Sequence, residues 1–125
     1  MIKTILLVSI GGAIGSALRY LCQKWIYQLY PLTFPWGTFL VNIIGCFLIG
    51  VFFAASEKST FFTADWKLFL TTGLCGGFTT FSAFAFENMN LLRTGDFMYS
   101  LLYTLGSVIL GILAVFAGMA LIKLL

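Results

Sequence analysis

The stretch Gly73-Leu74-Cys75-Gly76-Gly77-Phe78-Thr79-Thr80-Phe81-Ser82-Ala83-Phe84 constrains this chain more than any other. It lies inside an uncharged segment, residues 68–86, whose flanks are apolar enough to cross a bilayer. Its middle is a poor helix, because Gly73, Gly76 and Gly77 are followed closely by Thr79 and Thr80. Glycine costs about 1 kcal/mol relative to alanine in a helix interior, and threonine loses rotamer freedom there. A break in a spanning segment frees backbone amides and carbonyls at membrane depth. Lipid cannot satisfy them, so protein must bury them, or they must line a wet cavity or hold an ion. Broken helices of this kind mark ion sites in transporters. The stretch therefore predicts a site, and passage of something through the membrane.

Composition agrees. Hydrophobic residues make up 61% of the chain and charged ones 9%, where a soluble domain carries about 25% charged residues. The chain reads as an all-α integral membrane protein with a single membrane domain, residues 1–125. A span takes about 20 residues, which predicts four transmembrane helices at 3–22, 36–56, 66–88 and 97–122, the third broken near mid-membrane. The amino-terminal apolar run resembles a signal peptide but has no small-residue cleavage site, so it is read as a retained first span. A net charge of +3, scattered along the chain, gives no basis for nucleic-acid binding. With no histidine and 4 acidic residues there is little material for a carboxylate metal site or a hydrolytic dyad. No nucleophile–base pair is visible, and an enzyme is not expected. Cys22, Cys46 and Cys75 lie in apolar segments without paired spacing, and read as buried thiols rather than a disulfide or zinc framework.

Taken in order, the first span holds two small-xxx-small pairs, Gly11 with Gly15 and Gly12 with Ser16, which let helix backbones approach closely. Arg19 lies near its second end, where it either snorkels to the interface, braces a partner helix or offers charge to an entering anion. A loop over 23–35, or one that begins as a frayed extension of the first span, carries Trp25, Tyr27 and Tyr30, and with Trp36 these make an interfacial aromatic belt. In the second span Thr38 and Asn42 share a helical face. Asn42 must find a partner, in a neighbouring helix or in a permeating ion. A polar loop over 57–65 ends with Asp65 placed to cap the next helix. Beyond the break Phe81 and Phe84 share one side. After a short polar loop, 89–96, the fourth span places Tyr103 and Ser107 on one face.

Lysine and arginine are nearly balanced between the two ends of such a bundle. Lys3, Lys58, Lys67 and Lys123 fall at one end, Lys24 and Arg93 at the other with Arg19 close by. The asymmetry of these residues sets orientation, so so weak a bias predicts insertion both ways and an antiparallel pair. Four short spans hardly enclose a pathway, which also favours an oligomer. The candidate pathway residues are neutral donors, and no carboxylate lies in the middle of any span. Phenyl rings have electropositive edges, so Phe81 and Phe84 can face a small anion while hydroxyl and amide groups donate to it. The chemistry favours an anion over a cation.

These residues resemble the Fluc (CrcB) family of fluoride channels. The resemblance covers all four spans and rests on three motifs. The first is Gly11-Gly12-x-x-Gly15-x-x-x-Arg19-Tyr20, and the second is Gly37-Thr38-Phe39-x-Val41-Asn42-x-x-Gly45. The third is Gly73-x-x-Gly76-Gly77-x-Thr79-Thr80-Phe81-Ser82-x-Phe84. The resemblance implies a passive channel that exports toxic fluoride across the cytoplasmic (inner) membrane of a microbe, as an antiparallel, dual-topology homodimer with two pores. It further implies that Asn42, Phe81 and Phe84 line each fluoride pathway, with Thr38 and Ser82 nearby. Tyr103 and Ser107 would add a polar track, and Arg19 would lie at the vestibule side. A structural Na+ at the dimer axis would be held by the backbone carbonyls of Gly76 and Thr79. This chain departs from the family pattern at Ala83 and Gly111, where hydroxyl residues are usual. Two other readings come from different classes. A small dual-topology multidrug exporter would need a carboxylate in the first span, and there is none. A non-transporting membrane assembly protein would use its glycines for packing alone.

Overall fold

The fold is set by where glycine, proline and threonine allow helices to touch or to stop. The computed structural model describes residues 1–125. It is built of α1 (Ile2–Leu29), α2 (Trp36–Lys58), α3 (Ala64–Leu68), a π-helical turn (Phe69–Cys75), α4 (Gly76–Phe78), α5 (Phe81–Arg93) and α6 (Phe97–Leu124). By length and composition four segments can cross a membrane: Ile2–Leu29, Trp36–Lys58, Ala64–Arg93 and Phe97–Leu124.

The helices run further than the sequence expectation at several ends. The α1 helix continues through residues 23–29, which were expected in a loop, because nothing there breaks it. It stops at Tyr30 (φ −129°, ψ 74°), the residue before Pro31, where the proline ring disfavours helical geometry. Trp36 starts α2 directly after Pro35. At the start of α3 the cap is Thr63, whose Oγ1 accepts from the Trp66 N–H at 3.3 Å. The expected cap, Asp65, instead pairs with Lys3 at 2.7 Å. The α5 helix extends to Arg93, and Gly95 turns the chain at φ +82°, a left-handed conformation that glycine adopts without strain.

The sequence placed the irregular backbone across the glycines. The structure keeps all three glycines helical and leaves helical geometry at Thr79 (φ −87°, ψ 159°) and Thr80 (φ −150°, ψ 119°). Gly73 and Gly77 serve close approach instead. A Cβ on Gly73 would crowd Gly11, and one on Gly77 would strike the backbone of Gly12. From the other side, a Cβ on Gly15 would collide with the Leu74 carbonyl. The small-xxx-small surface of α1 is therefore spent on the π turn and α4. A second seam joins α2 to α6, where Gly50 meets Val115 and Gly118 meets Phe47, again backbone to backbone. Lipid tails are as apolar as leucine, so close van der Waals packing of this kind is the main force holding such helices together.

A small core of Phe39, Leu91 and Tyr103 seals the other end of the bundle, with Phe34, Trp36 and Phe84 packed around it. The two ends are distinct. Lys58 donates to the Ile122 carbonyl at 3.0 Å, and Lys3 meets Asp65, so the chain termini and the 59–63 connection share one end.

Candidate functional site

The site grows out of the two threonines. With Thr79 and Thr80 extended, the usual helical hydrogen bonds across them fail. Asn42 of α2 satisfies the Thr80 backbone instead. Its Nδ2 donates to the Thr80 carbonyl at 3.1 Å, and its Oδ1 accepts from the Thr80 N–H at 2.8 Å. Helix α5 then restarts on a side-chain cap, the Thr80 Oγ1 accepting from the Ala83 N–H at 3.2 Å. The partner that Asn42 requires is thus a backbone, in a neighbouring segment. A side chain four residues along α2 from Thr38 supplies both backbone bonds of Thr80.

This rearrangement frees carbonyls on the amino-terminal side of the break, those of Gly76 and Thr79 among them. In a continuous helix the Thr80 N–H would serve the Gly76 carbonyl, and the Ala83 N–H would serve Thr79. Both donors are turned elsewhere, to Asn42 and to the Thr80 hydroxyl. Gly76 is exposed on the surface of the bundle. Gly76 and Thr79 therefore present oxygen donors without their helical partners, the donor type that a hard cation takes.

Beside the break lies an open cavity of about 380 Å³ lined by Asn42, Gly76, Thr79, Thr80, Phe81, Phe84, Ser107 and neighbouring residues. Phe81 is 78% exposed, on the rim. Its ring lies 5.6 Å from that of Phe84, and Phe84 meets Tyr103 edge-on at 4.9 Å. Tyr103 is wholly buried. Its hydroxyl and that of Ser107, one turn further along α6, are buried and have no hydrogen-bond partner within the chain. A buried hydroxyl without a partner costs about 1–3 kcal/mol. Two of them on one face of α6, at the end of an aromatic row, form a track of unused donors.

The remaining candidates fall around this row. Thr38 is 1% exposed and accepts from Gln23 at 3.0 Å, away from the cavity. Ser82 is exposed, its hydroxyl 3.3 Å from that of Thr80. Arg19 braces a partner segment: its Nε donates to the Gly77 carbonyl at 3.1 Å, fixing the helix end just before the break.

Three residues outside the candidate set complete the polar network. Glu87 lies near the end of the third span. Its Oε2 accepts from the Tyr27 hydroxyl at 3.1 Å, and its Oε1 is buried without a partner. Asn88 donates to the Phe84 carbonyl at 3.1 Å and accepts from Ser100 at 2.8 Å and Thr104 at 3.1 Å. Gln23 holds Thr38. The signal was helical spacing. Arg19, Gln23 and Tyr27 recur at four-residue intervals, and Glu87 and Asn88 follow Phe84 by three and four residues.

A family model described as CrcB-like protein, Camphor Resistance (CrcB), matches residues 6–119. Several relatives bear the name fluoride-specific ion channel FluC. One from Phocaeicola vulgatus is 50% identical over 116 residues, covering 93% of this chain and 95% of the relative. One from Parabacteroides distasonis is 50% identical over 123 residues, covering 98% and 94%. One from Leptospira interrogans serogroup Icterohaemorrhagiae serovar copenhageni is 46% identical over 121 residues, covering 97% and 95%. The relatives are named as ion channels rather than enzymes.

Proposed function

The chain belongs to the CrcB family, and from that premise we propose that it is a passive, fluoride-selective ion channel of the cytoplasmic membrane. It is a multi-pass membrane protein with four apolar helices long enough to span. The observation that carries the reading is the row formed by Phe81, Phe84 and the unpartnered hydroxyls of Tyr103 and Ser107. An anion moving along it meets electropositive ring edges and then donors that nothing else uses. Fluoride is small and strongly hydrated. A path with a few well-placed donors can replace its water, whereas a larger halide cannot be surrounded in the same way. Ala83 lies one residue before Phe84, where the family usually offers a hydroxyl. The tracks of this chain therefore depend more on Tyr103 and Ser107.

The working unit in this reading is an antiparallel, dual-topology homodimer with two pores. The exposure of Phe81 and Gly76 on one surface supports it, because a second copy would cover the open side of each cavity. Two copies would bring four carbonyl oxygens, from Gly76 and Thr79 of each, to a shared axis. The donors freed by the break suit a structural Na+ there, which would supply charge to hold the two breaks together. Arg19, on the Gly77 carbonyl, would keep the neighbouring carbonyls oriented.

Fluoride efflux from liposomes tests this. Liposomes holding the purified protein should release fluoride only when an ionophore compensates charge, and independently of a proton gradient. Coupling of efflux to protons would instead favour an exporter. Phe81→Leu or Phe84→Leu should lower efflux strongly in protein that still elutes as a dimer. A protein of packing function alone would show no efflux to lower.

A further inference from the structure

Two cysteines share the cavity with the candidate pathway, and the pathway uses neither. Cys46 and Cys75 both line it, one from α2 and one from the end of the π turn. Their placement follows from the contacts around them. Gly45 of α2 packs against the Thr79 side chain, where a Cβ would collide with its Cγ2. Cys46 is the next residue, turned toward α6, with its Sγ 3.5 Å from the position of a Cβ on Gly111. Cys75 lies one helical turn before Thr79, which bonds back to the Cys75 carbonyl through both its N–H and its hydroxyl at 3.0 Å. Residues four apart lie on one helical face, so Cys75 sits directly along the wall that Gly45 touches. Cys75 is 2% exposed, and Cys46 is partly exposed. Cys22, on α1, is not among the residues of this cavity.

We infer that Cys46 and Cys75 form a two-thiol site for a soft, thiophilic metal cation of linear coordination, and that occupying it blocks the channel. Thiolates select soft metals over the hard cations that carbonyls hold, so this site and the Gly76–Thr79 carbonyls, though neighbours, take different ions. Charge favours a divalent soft ion. With mercury(II) chloride as the probe, each S–H gives up its proton and each sulfur forms one bond to mercury. The products are the S–Hg–S bridge, two chloride ions and two protons, with no change in oxidation state. The bridge is neutral, which suits a site inside a membrane, where a net charge is costly. Mercury(II) chloride is itself neutral and small enough to reach the cavity through lipid. The bridge would occupy the cavity that Asn42, Phe81, Phe84 and Ser107 also line, on the path proposed for the anion.

The transport readout of this inference rests on the fluoride-channel reading, but the binding readout does not. The experiment uses full-length Cys22→Ala protein, as isolated dimers and in liposomes, treated with mercury(II) chloride. X-ray absorption at the mercury edge should give two sulfur neighbours per mercury, and fluoride efflux should stop. Cys46→Ala or Cys75→Ala, added singly, should give one sulfur per mercury and raise the blocking concentration by about ten-fold or more. One sulfur per mercury in the Cys22→Ala protein, or two sulfurs persisting in either further variant, would overturn the site. Unblocked efflux with mercury held by two sulfurs would overturn the block. A protein that binds mercury between two sulfurs yet never carries fluoride would overturn the channel reading and leave the binding site standing.

Discussion

Asn42 holds the backbone of Thr80 from both sides, donating to its carbonyl at 3.1 Å and accepting from its N–H at 2.8 Å. The pair is what allows a membrane segment to leave helical geometry for two residues. Replacing Asn42 with alanine leaves both Thr80 groups unsatisfied, at about 1–3 kcal/mol for each buried group. The expected result is a clear drop in melting temperature of the purified protein and loss of fluoride efflux. Asn42→Asp keeps an acceptor for the N–H but sets a carboxylate oxygen against the Thr80 carbonyl. It should be destabilised as well. A thermal scan of the three proteins checks this, and an unchanged melting temperature in Asn42→Ala would contradict it.

Two neighbouring glycines of α1 should respond in opposite ways to the same added methyl group. At Gly15 a Cβ would run into the Leu74 carbonyl, a backbone atom that cannot move aside. At Gly12 the nearest atom to a Cβ is the Gly73 carbonyl oxygen, at 3.9 Å, an ordinary contact. Gly15→Ala should cost about 1–3 kcal/mol through overpacking. Gly12→Ala should be neutral or slightly stabilising, since alanine is the better helix former. Denaturation of both in one detergent decides it. Equal effects would mean that the helix contact is looser than described.

The hydroxyls of Tyr103 and Ser107 separate function from stability. Both are buried without a partner in the chain, so removing them relieves a desolvated polar group. Tyr103→Phe and Ser107→Ala should fold as well as the parent or better. If each donates to the passing anion, efflux should fall by the worth of one hydrogen bond, roughly 1 kcal/mol or a factor of about 5. Stability and efflux measured on the same preparations test both halves. Full efflux in both variants would remove the track from the pathway.

The Lys3–Asp65 ion pair at the chain-terminal end is short, at 2.7 Å, but both side chains are largely exposed. Exposed pairs contribute little and are screened by salt. Asp65→Asn should leave the melting temperature unchanged at physiological salt. A large loss would show that the pair organises the start of α3, a role the structure gives to Thr63.

The sequence was most legible where chemistry and spacing coincide. Four apolar stretches, the phenylalanine pair and the polar pair on α6 follow from composition and helical periodicity. The small-residue surface of α1 also announced a close contact, though not with which segment. Three features were misplaced for physical reasons. Gly73, Gly76 and Gly77 looked like a helix break because glycine is a poor helix former, yet at Gly73 and Gly77 the α1 contact makes helical glycine worth its cost, and Gly76 stays helical on the exposed side. Residues 23–29 looked like a loop because they are polar and aromatic, but Gln23 and Tyr27 find partners across the bundle in Thr38 and Glu87. Asp65 looked like a cap until Lys3 engaged it. Glu87 went unrecognised because its neighbours across the bundle, Tyr27 above all, are distant in sequence.

The central claim is that fluoride passes through this protein and larger halides do not. The most direct measurement is efflux from liposomes loaded with both ions, followed by fluoride and chloride electrodes in one chamber after a charge-compensating ionophore is added. The account predicts rapid loss of fluoride with chloride retained. Loss of both ions at similar rates, or of neither from dimeric protein, would contradict it.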